Sequence, residues 1–134
     1  MDISSFNDLL AASRAQPEPQ RLLFVFCVAE LPDDATEAQR RAFAEGHGGV
    51  LVPVMCADKL PDELVGMETL VAESTQFDRD WTLAFVASLG GRGTRAPTSQ
   101  EAEEPMQRMV AQVKAGQISG FIPFNRAGQT VALG

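Results

Sequence analysis

The sequence predicts an α/β domain with a mixed, largely parallel sheet of about five strands and helices packed on it. Apolar segments typical of strands alternate along the chain with amphipathic helical patterns. A motif that runs from a strand into a helix also occurs twice, 29 positions apart, as LLFVFCVAELPDD at 22–34 and LVPVMCADKLPDE at 51–63. The predicted order is α-β-α-β-α-β-α-β-β over residues 1–134, one domain that ends in a β-hairpin.

The first half of the chain predicts two helices and a buried strand. Residues 5–15 form an amphipathic helix, and the dense apolar run at 21–29 predicts a strand buried on both faces. Thr36 with Gln39 predicts a capping box for the next helix, which we expect to end at Gly46. Because this helix is short and polar, an antiparallel connection between the first two strands is also open.

The middle of the chain repeats this arrangement. Residues 49–57 predict the second strand, and Pro53 within it indicates an edge position or a bulge, because proline cannot donate a hydrogen bond to a neighbouring strand. Pro61 is suited to the first turn of a third helix. Residues 81–89 predict the third strand.

The last third of the chain predicts a helix and the terminal hairpin. Apolar residues at helical spacing indicate a helix over 101–115. A fourth strand follows at 118–124, where Pro123 again indicates an edge or a bulge. Residues 125–128 predict a turn, and 129–133 a short fifth strand that returns antiparallel.

Composition and charge disfavour several classes of partner. Hydrophobic residues make up 45% of the chain, which is enough for a core, and the net charge is −7 with only 11 Lys and Arg. Such a charge disfavours nucleic acid and anionic membrane surfaces. The longest apolar run, 22–29, is far shorter than the roughly 20 residues that a bilayer requires. Because the first residues lack the basic start of a signal peptide, we expect a soluble cytoplasmic protein.

The Gly/Arg loop at 90–99 is the strongest candidate for a ligand site. It lies between a predicted strand and a predicted helix, where glycine amides and arginine guanidinium groups can hold phosphate or carboxylate. Its candidate residues are Gly91, Arg92, Gly93, Arg95 and Ser99. The match to a dinucleotide fingerprint is incomplete, because Pro97 keeps Ala96 out of the helix. The alternative is a surface loop whose arginines pair with the glutamates that open the next helix.

Acidic residues follow the apolar strand segment in both copies of the motif. If the two strands were parallel, these acids would meet at one end of the sheet and could hold Mg²⁺. They are Glu30, Asp33, Asp34, Asp58, Asp62 and Glu63. The favoured alternative is that they stabilise helix N-termini.

The two cysteines, Cys27 and Cys56, occupy equivalent positions in the motif. Either could pair with His47, the only histidine, as nucleophile and base, and the two thiols, His47 and Asp58 together could bind zinc. The favoured interpretation is two free, buried thiols. We therefore predict no catalytic residue, metal or cofactor.

Three segments carry a resemblance to a known family. RLLFVFCVAELPDDAT, GGVLVPVMCADKLPDEL and PMQRMVAQVKAGQISGF resemble a group of small bacterial proteins often labelled "ribonucleotide reductase subunit alpha", and the resemblance covers nearly the whole chain. The group has no established catalytic residues, so the resemblance implies none here. A catalytic large subunit needs a radical-bearing cysteine and a redox-active cysteine pair, which two isolated cysteines in 134 residues cannot supply.

The leading prediction for function is a non-catalytic binding or accessory protein that acts through protein partners or as a homo-oligomer. It depends on the lack of a complete nucleophile–base pair, metal motif or nucleotide loop in the sequence. The alternative is a binder or enzyme for a small anionic metabolite or nucleotide, which would use the Gly/Arg loop.

Overall fold

The computed structural model describes residues 3–45, 49–77 and 80–131. These residues form four helices, α1 (Phe6–Arg14), α2 (Glu37–Ala44), α3 (Met67–Ser74) and α4 (Ser99–Lys114), and four strands, β1 (Gln20–Glu30), β2 (Val50–Lys59), β3 (Leu83–Gly90) and β4 (Ile122–Asn125). Two short 3₁₀ turns cover Pro61–Glu63 and Thr75–Phe77. Three predicted features lie outside the described residues. They are the helix end at Gly46, the candidate base His47 and the last strand residues, 132–133. None of the described helices is long and apolar enough to cross a bilayer.

All described strands pair antiparallel, in the order β2-β1-β3-β4. The prediction of a largely parallel, five-stranded sheet is therefore wrong. β1 is buried on both faces as expected. This burial does not require parallel neighbours, because an antiparallel sheet with helices on both faces buries a strand equally well. The predicted fifth strand is also wrong within the described residues, because Gln129 and Thr130 form only isolated bridges, to Ser5 and Phe124 respectively.

The core lies in two layers, one on each face of the sheet. Side chains of β1 alternate between them, because successive residues of a strand point to opposite faces. Leu22, Phe24 and Phe26 pack with residues of α1 and α3. The intervening Leu23, Val25 and Cys27 pack with residues of α4. The helix α2 buries none of its residues.

A local sequence signal explains the start of α2, whereas another misplaces the start of α3. The capping box of Thr36 and Gln39 is present, with both hydrogen bonds formed at 2.8 and 3.1 Å. The third helix does not start at Pro61 as predicted, because a single 3₁₀ turn follows and the backbone is then extended at Leu64 and Gly66. α3 begins only at Met67.

The two edges of the sheet differ. The outer side of β4 contacts the segment after it, since the Val131 amide donates to the Pro123 carbonyl at 3.0 Å and Phe124 bridges Thr130. β2 lies at the other edge, and no strand or bridge in the described part of the chain pairs with its outer side. Pro53 lies on this edge beside a bulge that leaves Val54 unpaired, which confirms the edge position that the proline indicated.

Candidate functional site

The Gly/Arg loop folds into a tight turn. The backbone N–H and C=O groups of Arg92 and Arg95 bond each other, both at 2.9 Å, and Gly93 has a φ of 58° in the turn between them. A Cβ atom on Gly91 would collide with the carbonyl oxygen of Arg95, so only glycine fits there. The glycines thus serve the turn itself.

The charges of this loop are partly paired within the protein. The Arg95 guanidinium donates to both carboxylate oxygens of Glu101, at 3.1 and 3.2 Å. A hydrogen bond from the Thr98 backbone amide, followed by the charges of Arg95 and Arg92, lowers the pKa of Glu101 below its ordinary value. An ionised carboxylate therefore lies beside the arginines and would oppose a bound anion.

A polar recess of about 180 Å³ nevertheless brings Gly91, Arg92 and Arg95 together with Glu101. Ser99 does not line it, although the sequence grouped Ser99 with the arginines. Binding of an anion by this loop stays a prediction.

Ser99 belongs to a different cluster, which joins α4 to the sheet. Its hydroxyl donates to Asp58 Oδ2 at 2.6 Å, and Arg21 Nη1 donates to the same oxygen at 2.6 Å. Arg21 Nε also donates to the Pro97 carbonyl at 2.6 Å. Because the Arg21 and Asp58 side chains are only 12% and 27% exposed, this ion pair between β1 and β2 is poorly screened. The hydrogen bond from Ser99 to Asp58 holds the start of α4 against the pair.

The acidic residues that follow the two strand segments of the motif do not converge. β1 and β2 are antiparallel, with Glu30 opposite Val50 and Asp58 opposite Leu23, so the acids that follow each strand lie at opposite ends of the sheet. The Mg²⁺ interpretation required parallel strands and is therefore wrong.

The two cysteines have different environments. Cys27 is fully buried, and burial raises the pKa of its thiol to about 11, so it remains protonated and a poor nucleophile at neutral pH. Cys56 is free but exposed on β2, so the expectation that both thiols are buried is wrong for this residue, which lies on an edge strand. The proposed pairing of either cysteine with His47 falls outside the described residues.

An apolar groove lies between β2 and α3, on one face of the sheet. It has a volume of about 300 Å³, and we call it the α3-side groove. Phe26, Met55, Ala57 and Leu70 provide its apolar walls. On its lining, Lys59 Nζ and Glu73 Oε2 form an ion pair at 2.8 Å, which leaves the groove without net charge.

A second cleft flanks β2 on the opposite face, against α4. This α4-side cleft has a volume of about 220 Å³, and its lining combines apolar and acidic side chains. They include Cys56, Asp58, Ala102, Glu103 and Met106. Glu103 is exposed and makes no ion pair within the described residues, whereas Asp58 is paired with Arg21.

Sequence reasoning missed both cavities because β2, α3 and α4 contribute residues that are far apart along the chain. The one signal that pointed to this region was Pro53, which marked β2 as an edge strand.

Comparison of the chain with protein-family models, with curated proteins and with solved structures finds no match. The resemblance of three segments to a bacterial group therefore stays a prediction.

Proposed function

We propose that the protein is a small, non-catalytic binding module that recognises a protein partner through the open edge of β2. The observation that carries this proposal is the position of β2, a ten-residue edge strand with the α3-side groove directly beside it. An edge strand presents backbone N–H and C=O groups that an added strand can bond. The groove provides an apolar surface for a side chain of that strand.

Recognition of this kind is strand addition. Backbone hydrogen bonds supply affinity, and cavities for alternate side chains supply specificity. Pro53 and the adjacent bulge interrupt regular pairing on the outer side of β2. The segment 54–59 is therefore the part of β2 that a partner would pair with, and Met55, Ala57 and Lys59 within it line the α3-side groove.

The opposite edge of the sheet supports this choice. β4 has four residues, and residues 129–131 contact its outer side through the hydrogen bonds described above. Those contacts occupy the groups that a partner strand would need, so strand addition is expected at β2 and not at β4.

A photo-crosslinking experiment tests the proposal. A benzophenone amino acid is placed at Cys56 on the open edge and, as the matched control, at Gln129 on the closed edge; both positions are exposed. After irradiation of cells that produce the full chain, we expect a protein partner bound covalently at position 56 only.

The partner is then identified, purified and bound to the wild-type chain. Amide protons in 54–59 should become protected from hydrogen exchange, because a paired strand shields them. Equal crosslinking at both positions, or binding without protection of 54–59, would contradict the proposal.

The second candidate function is binding of a small anionic metabolite by the Gly/Arg loop, and the recess shared by Arg92 and Arg95 favours it. Thermal unfolding against nucleotides, phosphosugars and dicarboxylates tests this function. A ligand present at 100 times its Kd adds about 2.7 kcal/mol, which should raise the Tm by several degrees. The rise in Tm must disappear in the Arg92→Ala/Arg95→Ala double variant. A rise that persists there would exclude the loop as the ligand site.

A further inference from the structure

We infer that the partner segment alternates apolar with basic side chains; this inference rests on the proposed function. It follows from the two cavities that flank β2, because each lies on a different face of the sheet and each has a different chemistry.

The alternation comes from the geometry of the strand. Met55 and Ala57 lie opposite Phe26 and Phe24 of β1, on the α3 face, whereas Cys56 lies opposite Val25, on the α4 face. A strand added beside β2 has the same period of two. Its consecutive side chains therefore enter the α3-side groove and the α4-side cleft in turn.

The α3-side groove selects an apolar side chain. Its walls are aromatic and aliphatic, and its two charged residues, Lys59 and Glu73, neutralise each other. A charged side chain would lose hydration there and gain no unpaired opposite charge.

The α4-side cleft selects a basic side chain. Asp58 and Glu103 both line it, and Arg21 neutralises only the first of them. The net charge of −7 for the whole chain attracts a cationic segment over a longer range. Lysine and arginine also have apolar stems that can cover Ala102 and Met106 on the floor of the cleft.

Three synthetic octapeptides test this inference against the ¹⁵N-labelled full chain. One alternates valine with lysine, one alternates valine with glutamate, and one has four valines followed by four lysines. Binding is measured from amide chemical shifts. We expect the valine–lysine alternation to bind with shifts in 54–59 and near Glu103, and the valine–glutamate peptide to bind at least about fivefold more weakly.

The block peptide separates alternation from charge alone. If it binds as tightly as the alternating valine–lysine peptide, the inference about alternation is overturned. It is equally overturned if the valine–glutamate peptide binds as well as the valine–lysine peptide, or if no peptide shifts the amides of 54–59.

A pair of adjacent substitutions tests the cleft itself. Glu103→Gln should weaken the valine–lysine peptide by about two- to fivefold, the range for one exposed ion pair. The control is the adjacent Glu104→Gln: Glu104 is exposed on the same helix, pairs with Arg108 and does not line the cleft, and its loss should change affinity by less than about twofold. Equal losses of affinity in the two variants would show that Glu103 in the cleft does not interact with the lysines of the peptide.

The failure of this inference is distinguishable from the failure of the proposed function. If a partner is crosslinked at position 56 and protects 54–59, but the peptides bind without regard to alternation or charge, only the inference fails. If no partner is captured at position 56, the proposed function fails with it.

Discussion

The two copies of the repeated motif form adjacent strands of one sheet, but their environments differ. Leu22 and Val25 of the first copy are fully buried in β1, whereas the equivalent Leu51 and Val54 of the second copy are only half-buried in β2. β1 has β2 on one side and β3 on the other, whereas β2 has β1 as its only neighbouring strand within the described residues.

This comparison shows that a motif can specify a strand without specifying how deeply that strand is buried. The apolar residues in both copies favour an extended conformation. The burial of each strand depends on which other strands and helices of the chain pack against it. The copy at the edge retains exposed backbone groups, and this is the property on which the proposed function depends.

The largest expected difference between the copies is in thiol reactivity. Cys56 is exposed and should react with a thiol reagent in the folded protein, whereas Cys27 should react at least about 1,000-fold more slowly because it must wait for unfolding. Mass spectrometry after timed alkylation measures both rates. Comparable rates would mean that β1 is not held in the centre of the sheet.

Truncation of the equivalent leucines should affect stability unequally. Leu22→Ala should lower the free energy of unfolding by about 2–5 kcal/mol, because it leaves a cavity in a closed core. Leu51→Ala should cost about 1 kcal/mol, because its site is already partly solvated. Urea denaturation of both variants gives the two values, and equal losses would contradict the contrast in burial.

Alkaline pH should destabilise the protein through the buried thiol of the first copy. Burial raises the pKa of Cys27 from 9.0 to about 11, so the folded state retains a proton that the unfolded state releases in this range. The stabilisation is complete below pH 9.0 and is lost as the pH rises through about 11, by no more than about 3 kcal/mol.

Urea denaturation at several pH values measures this loss. The fall in the free energy of unfolding with rising pH that Cys27 causes should be absent in Cys27→Ala and retained in the control variant Cys56→Ala. The chain has no tyrosine, so no phenol titrates in the same range. An unchanged slope in Cys27→Ala would assign the effect to other groups.

The smallest expected difference lies at the acid that ends each copy. Glu63 accepts a hydrogen bond from the Leu60 amide at 2.8 Å, whereas the side chain of Asp34 makes no hydrogen bond within the described residues. Glu63→Ala should cost about 0.5–1 kcal/mol, and Glu63→Gln should retain the bond. Asp34→Ala should change stability little; a loss equal to that of Glu63→Ala would show that the acids act through charge alone.

Much of the secondary structure was predictable because it has local causes. Thr36 with Gln39 marks a helix start wherever the helix packs, and Pro53 indicates an edge or a bulge whatever the topology. Strand direction has no such local cause. The apolar run in β1 indicates that both faces of the strand are covered, but it does not indicate whether the neighbouring strands run parallel or antiparallel.

The candidate site was less predictable than the fold for a related reason. The Gly/Arg loop is contiguous in sequence, so its pattern alone predicts a site. In the folded chain, however, Arg95 pairs with Glu101 and Ser99 bonds Asp58. The cavities beside β2 combine residues such as Met55, Leu70 and Glu103, which only the folded chain brings to one edge.

The bond between the N–H of Phe6 and the C=O of Gly128, at 2.7 Å, has a consequence for folding during synthesis. These residues are 122 positions apart, so at about 5–20 residues per second the ribosome makes the second of them roughly 6–25 seconds after the first. α1 is the first described helix to be synthesised, yet this bond to its first turn can form only when almost all of the described chain has left the ribosome. Nascent chains that stop before residue 128 should therefore lack this bond at the first turn of α1, even when the three strands β1, β2 and β3 are already paired.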